Sequence, residues 1–108
     1  MCTFKTLYHN HTSGYVVSCI QCNNLQVAFL GLLLNMDADE FNGLATTVAE
    51  IKDRVADMEN RTQKCITVST PAEKIKLFLT CDELVSLHEM LEEADTELRV
   101  NRLLAMFE

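Results

Sequence analysis

The stretch that decides the fold is residues 32–48, LLLNMDADEFNGLATTV, in which a strand pattern leads directly into a capped helix. Asp37-Ala-Asp-Glu40 has capping-box spacing, because the Asp side chain can accept from the amide three residues on while Glu40 reaches back. The apolar positions that follow have helical spacing: Phe41, Leu44, Ala45, Val48, Ile51, Val55 and Met58. The pattern predicts a helix over about residues 38–60, roughly 34 Å long.

A second unit of the same kind occupies residues 75–91, IKLFLTCDELVSLHEML. Thr80-Cys-Asp-Glu83 is again a capping box, and we expect a second helix to begin there. Its apolar stripe is Leu84, Leu87, His88, Leu91, Ala94 and Leu98. The two units align without a gap when Asp37 is placed on Thr80. Either they are an internal repeat, or they share only the pattern common to strands that lead into capped helices.

The first third of the chain has the pattern of a β-meander. Turn sequences rich in Asn and Gly separate runs that are rich in β-branched, aromatic and leucine residues. These runs are residues 3–9, 15–20, 25–30 and 32–36, and two later strands are predicted at 65–69 and 74–79.

The order of elements is βββ(β)α–ββα, with strands in groups instead of strict alternation with helices. This order favours an α+β fold with an antiparallel sheet. We expect a sheet of about five to six strands, covered on one face by two helices. The length fits a single domain over residues 1–108.

The charge is acidic and unevenly distributed. The formal net charge is −7, and Lys5 is the only formal charge in residues 1–36. Residues 37–62 hold seven acids against three bases, and residues 82–97 hold seven acids and no base. Nucleic acids and anionic membrane surfaces both require basic patches. The composition therefore argues against nucleic acid and membrane as partners.

The sequence also bears on the compartment. The longest apolar run, residues 27–34, is much shorter than the roughly 20 residues of a membrane-spanning helix. The first residues, MCTFKTLYHNH, lack the basic and apolar segments of a secretory signal. We therefore expect a cytoplasmic protein whose five cysteines stay reduced.

Cys19-Ile-Gln-Cys22, at the predicted turn between the second and third strands, is the motif with the most evident chemistry. Such a turn directs two thiolates to one point, as a zinc knuckle does. A structural zinc site takes four ligands, and the nearest further candidates are Cys2, His9 and His11. Antiparallel pairing of the first two strands brings Cys2 toward Cys19, whereas both histidines fall at the opposite end of the hairpin.

Three interpretations of this motif stay open: a zinc site, reduced thiols that act as small apolar side chains, and a redox pair. The redox interpretation is the weakest, because a thioredoxin-like motif opens a helix and the residues after Cys22 have a strand pattern. Cys65 is a further candidate ligand from the second half of the chain.

Cys81 is the other cysteine with a candidate chemical role, because it falls in the first turn of a predicted helix, where a thiolate is favoured. His88 follows roughly two turns later, too far along the helix to act as its base. No other catalytic motif is found, so the sequence favours a non-enzymatic function.

The apolar stripe of the second helix changes direction after Leu98. The apolar residues beyond it that lie off the earlier stripe are Val100, Leu103, Leu104 and Phe107. Either the helix breaks near Asp95-Thr96, or residues 99–107 face something other than the core of this chain. Residues 30–34 are also apolar on both faces of their strand. These surplus apolar residues predict a homodimer or contact with another protein.

Several short segments resemble a known family. They are Gly14-Tyr15-Val16, Cys19-x-x-Cys22, Leu25-Gln26-Val27-Ala28-Phe29 and Asp39-Glu40-Phe41. They are similar to a domain-of-unknown-function family of small bacterial proteins, known mainly from Bacteroidetes, and the resemblance runs from Cys2 to the second helix. It implies a leaderless, single-domain protein and no particular activity. The predicted function is a self-associating interaction or structural module, with zinc binding as the first alternative and thiol redox chemistry as the second.

Overall fold

The computed structural model describes residues 3–107. These residues form six strands and two helices. They are β1 (Phe4–Asn10), β2 (Gly14–Cys19), β3 (Leu25–Phe29), β4 (Leu32–Met36), α1 (Ala38–Arg54), β5 (Ile66–Ser69), β6 (Lys76–Leu79) and α2 (Cys81–Ala105). The α+β class expected from the sequence is confirmed, and each predicted strand is present.

The arrangement of the strands differs from the single sheet of five to six strands that the sequence predicts. β1 to β4 form one antiparallel sheet in chain order, and β5 and β6 form a separate antiparallel pair. The β5–β6 pair packs against the helices, because α1 contacts β5 and α2 contacts β6. Alternation along a strand shows which side chains are buried but not which strand lies beside it, so the pairing was not readable from the sequence.

One apolar core joins the two sheets to the two helices. β3 buries every second side chain, Leu25, Val27 and Phe29, on its inner face. α2 lies across β1 and β2 and packs beside α1. Other fully buried side chains of this core include Val16, Phe41, Val48, Val68, Leu84 and Met90. The inner face of the four-stranded sheet is therefore covered, while exposed side chains such as Leu33 lie on its outer face.

Both predicted capping boxes are confirmed. Asp37 Oδ1 accepts from the Glu40 amide at 2.8 Å, and Glu40 Oε1 accepts from the Asp37 amide at 3.0 Å. Thr80 Oγ1 accepts from the Glu83 amide at 3.0 Å, and Glu83 Oε1 accepts from the Thr80 amide at 2.8 Å. Each N-cap is the single residue between a strand and its helix. The two strand–cap–helix units are thus alike in local structure.

α1 is shorter than the helix predicted over residues 38–60. It ends at Arg54, and Val55 is its C-cap. The Met58 amide donates to the Val55 carbonyl at 3.0 Å, which is a turn of i to i+3 type. Val55 and Met58 still pack against the core. Apolar residues three apart suit such a turn as well as a helix, so the stripe overstated the helix length.

α2 is continuous from Cys81 to Ala105, so the break considered near Asp95-Thr96 is wrong. Across this point Asp95 Oδ2 pairs with Arg99 Nη2 at 3.0 Å, one turn apart. The apolar stripe therefore changes direction for the other reason given in the sequence analysis, namely that residues 99–107 face something other than the core. The last two turns of an unbroken helix carry apolar side chains that do not face the core.

The β3–β4 connection is a two-residue turn formed by Leu30 and Gly31. Both residues have left-handed backbone angles, with φ of 49° and 81°. Two-residue turns with positive φ match the right-handed twist of the flanking strands. Glycine adopts this conformation freely, but leucine does so at a cost of roughly 1–2 kcal/mol. Leu30 is also half exposed, so it gains little burial in return.

We predict that Leu30→Asn stabilises the protein by about 0.5–1 kcal/mol, because Asn tolerates left-handed angles. Urea unfolding followed by circular dichroism measures the effect. Leu30→Ala is the matched control, since it removes the same exposed side chain but keeps the backbone cost. Equal stability of the two variants would show that the turn conformation is not the source of the gain.

Glu83 is held in its ionised form by its neighbours. Partial burial alone raises its pKa, but hydrogen bonds from the Lys64 ammonium and the Thr80 amide outweigh that effect, and its pKa lies below the usual 4.5. Because the folded pKa is below the unfolded one, the ionised carboxylate contributes its full stabilisation above the unfolded pKa. That contribution is lost as the pH falls through the folded pKa.

Acidification should therefore destabilise the wild type more steeply than Glu83→Gln between about pH 5 and pH 3. Urea midpoints measured across this range give the two slopes. Glu93→Gln, an exposed position on the same helix, is the control and should keep the wild-type slope. If Glu83→Gln and Glu93→Gln have the same slope, the ion pair at the α2 cap does not contribute to acid sensitivity.

Candidate functional site

The Cys19–Cys22 motif forms a closed turn between β2 and β3. The Cys19 amide donates to the Asn24 carbonyl at 2.8 Å, and the Asn23 amide donates to the Cys19 carbonyl at 2.9 Å. Asn23 has a left-handed φ of 63°, which Asn adopts more readily than most residues. These bonds fix the path of the backbone around the motif.

The turn also provides a donor to one of its sulphurs. The Cys22 amide donates to Cys19 Sγ at 3.5 Å, and Cys19 Sγ donates to Gln21 Oε1 at 3.6 Å. Cys19 is only 2% exposed, whereas Cys22 is exposed. The sulphur of Cys19 therefore has both a donor and an acceptor within its own turn.

Thr3 ties the start of β1 to this turn. The Ile20 amide donates to the Thr3 carbonyl at 2.9 Å, and the Thr3 amide donates to Gln21 Oε1 at 2.7 Å. Phe4 pairs with Cys19 in the strand register. The candidate ligand Cys2 lies outside the described residues and is joined in sequence to Thr3.

The two candidate histidines lie elsewhere. His9 pairs with Tyr15 at the opposite end of the β1–β2 hairpin, and His11 lies in the turn that follows. Their rings contact each other edge to face, with centroids 5.0 Å apart. Of the predicted metal ligands that the structure describes, Cys19 and Cys22 share one turn, and the two histidines lie together at the other end of the hairpin. Residues 3–107 contain no group of three or more His, Cys, Asp or Glu side chains placed to hold a metal ion.

The remaining cysteines have separate surroundings. Cys65 is exposed, and its Sγ lies 3.8 Å from Met58 Sδ. Cys81 is buried at the start of α2, with its Sγ 3.9 Å from the Val55 carbonyl oxygen. His88 is half-buried, and its Nε2 lies 3.4 Å from Glu92 Oε1. These contacts give Cys81 and His88 different neighbours.

The end of α2 is an exposed apolar surface, which we call the C-terminal stripe. It consists of Val100, Leu103, Leu104 and Phe107, with exposures of 43%, 57%, 59% and 82%. The i, i+3, i+4 spacing places the first three on one side of the helix, and Phe107 follows in the turn after the helix ends at Ala105. Lys5 Nζ donates to Asn101 Oδ1 at 3.0 Å and ties this part of α2 to β1. Neither α1 nor α2 combines the length and apolar composition needed to cross a membrane.

The outer face of the four-stranded sheet is a second open surface, one that the sequence analysis did not identify as a site. Its cross-strand rows are His9–Tyr15–Ala28–Leu33 and Thr6–Val17–Gln26–Asn35. The Tyr15 hydroxyl donates to Gln26 Oε1 and Gln26 Nε2 donates to Asn35 Oδ1, each at 3.0 Å. Among the described residues these rows carry no formal charge. The near absence of charge in residues 1–36 was the signal available in the sequence.

Comparison with known proteins places the chain in a family. A scan against protein-family models matches residues 1–107 to a family of unknown function, DUF6686. Searches of curated proteins and of solved structures returned no match. The resemblance to a family of unknown function is thus confirmed, while its bacterial distribution and its leaderless character stay predictions. Because the match covers nearly the whole sequence, the chain belongs to the DUF6686 family of unknown function.

Proposed function

We propose that this protein is a non-enzymatic interaction module that forms a homodimer through the C-terminal stripe of α2. The exposure of three apolar side chains on one side of a continuous helix, with exposed Phe107 in the turn that follows, carries the proposal. Contiguous apolar surface of this kind costs free energy in water and marks contact sites in folded proteins. A second copy of the chain offers the same stripe, and two-fold dimers are the commonest way to bury such a patch.

The charges along α2 favour one way of placing a second copy. Residues 82–97 hold seven acids and no base, whereas residues 98–107 hold Arg99 and Arg102 and no acid. Antiparallel contact between the two stripes places residue 100 of each copy opposite residue 107 of the other, so the two acidic segments point away from each other. Parallel contact would bring the two acidic segments side by side, so the charge pattern favours the two-fold antiparallel arrangement.

The surroundings of the cysteines support a non-enzymatic function. The Cys19–Cys22 turn connects two strands, whereas a redox pair gains its reactive thiolate at the start of a helix. Cys81 does lie at the start of α2, but it is buried against the end of α1. His88, which lies beside Glu92, does not supply it with a base.

We predict that Leu103→Glu/Leu104→Glu converts a dimer into a monomer. Burying two leucines is worth about 3 kcal/mol or more, so their replacement should weaken dimerisation roughly 100-fold or more. Gel filtration with light scattering over a series of protein concentrations measures the change. Circular dichroism should be unchanged, because both leucines are exposed in the folded chain.

Leu33→Glu is the matched control for this test. Leu33 is 49% exposed, close to the 57% of Leu103, but it lies on the outer face of the sheet. The same chemical change there should leave the dimer intact. A wild type that is monomeric at every concentration, a double variant that remains dimeric, or a dimer lost only in Leu33→Glu would each contradict the proposal.

A further inference from the structure

The four-stranded sheet has two edges, β1 and β4, and they differ in how well each is protected against a further strand. β1 carries Lys5, which points to the helix side of the sheet, and its pairing with β2 is irregular between Thr6 and Tyr8. An inward-pointing charge and a bulge both hinder the addition of a strand to an edge. β4, with the sequence LLLNM, has no charge and no proline, and its pairing with β3 is regular. Of the two edges, β4 is therefore the one open to another strand.

The turn that closes the β3–β4 hairpin determines which backbone groups face this edge. Because the turn has two residues, 30 and 31, the pair that flanks it, Phe29 and Leu32, is hydrogen-bonded. Bonded and non-bonded pairs alternate along an antiparallel ladder, so Leu33 and Asn35 direct their amide and carbonyl groups away from β3. Both residues are exposed, and no strand of residues 3–107 pairs with this side of β4.

The spacing of these backbone groups determines what fits them. Donors and acceptors that recur at every second residue of a strand are matched by the backbone of another extended segment. Leu32 and Leu33 project from opposite faces of β4, and neither side chain is fully buried. An added segment with alternating β-branched side chains would therefore meet apolar neighbours on both faces of the sheet.

The charges beside β4 favour a basic residue at one end of the added segment. Asp37 directly follows β4, and Asp39 and Glu40 lie in the first turn of α1. All three residues are exposed, and no ion pair in the described part of the chain joins them to a base. The first residues of an antiparallel segment would lie beside the end of β4, where a Lys or Arg meets these carboxylates.

From these observations we infer that the β4 edge binds an extended segment of a partner protein as a further antiparallel strand, with a basic residue beside Asp37. The segment exchanges hydrogen bonds with the backbone of Leu33 and Asn35, as in other cases of strand addition. A second copy of β4 does not supply the basic residue, because residues 30–36 hold none. The inference is independent of the homodimer proposed above, because the β4 edge uses no residue of the C-terminal stripe.

Titration of the full chain with a synthetic peptide tests the β4 edge. The probe is acetyl-Lys-Thr-Val-Thr-Val-Thr-amide, whose β-branched residues favour an extended backbone. At saturating peptide, we expect the amide exchange of Leu33 and Asn35, measured by NMR, to slow by about 10-fold or more. The amide of Leu34, which is bonded to β3, should be protected with and without the peptide. Saturable binding that leaves exchange at Leu33 and Asn35 unchanged would overturn the inference, as would the absence of binding at millimolar peptide.

Substitution at residue 33 tests the backbone bonds. Leu33→Pro removes an outward amide without touching the β3–β4 ladder, and proline is tolerated at such edge positions. It should weaken peptide binding by about 10-fold, roughly the value of one hydrogen bond. Leu33→Ala is the matched control, because it removes the same side chain but keeps the amide, and it should bind at least as well as any proline variant. Equal affinities of the Leu33→Pro and Leu33→Ala variants would contradict the inference.

Modified peptides give the same test on the unaltered protein. Of two peptides that are N-methylated at opposite sets of alternate residues, one should lose binding and the other should keep it, because only one set faces β4. A peptide with Glu in place of Lys should bind several-fold more weakly. Equal binding by the two methylated peptides, or no effect of Glu, would contradict the inference. Exchange at Leu33 that slows with protein concentration in the absence of peptide would identify a second copy as the occupant and would also overturn it.

Discussion

Each helix of this protein begins one residue after a strand ends, and a pair of side chain–backbone hydrogen bonds holds each junction. Asp37 with Glu40 and Thr80 with Glu83 satisfy amides at the first turn of the helix that would otherwise lack partners. With no loop between strand and helix, the direction of each helix is set by the strand before it. The apolar side of each helix then meets the inner faces of the sheets in one core.

This construction leaves much apolar surface uncovered. Two helices cover the inner face of a four-stranded sheet and a two-stranded pair, and no further element covers the outer face of the larger sheet in residues 3–107. α2 then extends past the core, so that the C-terminal stripe is exposed. The Lys5–Asn101 hydrogen bond places the end of α2 beside β1 near Cys19, the strand partner of Phe4.

The parts of the fold that depend on neighbours in sequence were predictable. The capping boxes span three residues, so Asp37 and Thr80 could be identified as N-caps from the chain alone. The separation of β5 and β6 from the larger sheet was not predictable, because strand pairing is set by contacts distant in sequence. The end of α1 was predicted too late for a related reason. The apolar spacing of Val55 and Met58 suits both a helix and a turn packed on the same core.

The candidate sites were predictable to a similar degree. The antiparallel pairing of β1 and β2 places His9 and Cys19 at opposite ends of the hairpin. This separation was predicted from the sequence, and the structure confirms it. The left-handed angle at Asn23 and the amide directed at Cys19 Sγ are properties of the folded backbone, so spacing alone did not indicate them. The changed phase at Val100 predicted an exposed stripe, but only the continuous helix showed that a break was not its cause.

Hydrogen–deuterium exchange of the wild-type chain at low and high protein concentration tests self-association through α2 most directly. An exposed helix end frays, and a partner packed against it slows the exchange of its amides. Exchange in residues 99–107 should slow as the concentration rises, while exchange in residues 25–36 stays constant. Exchange rates in residues 99–107 that do not depend on concentration would contradict a homodimer formed through the C-terminal stripe.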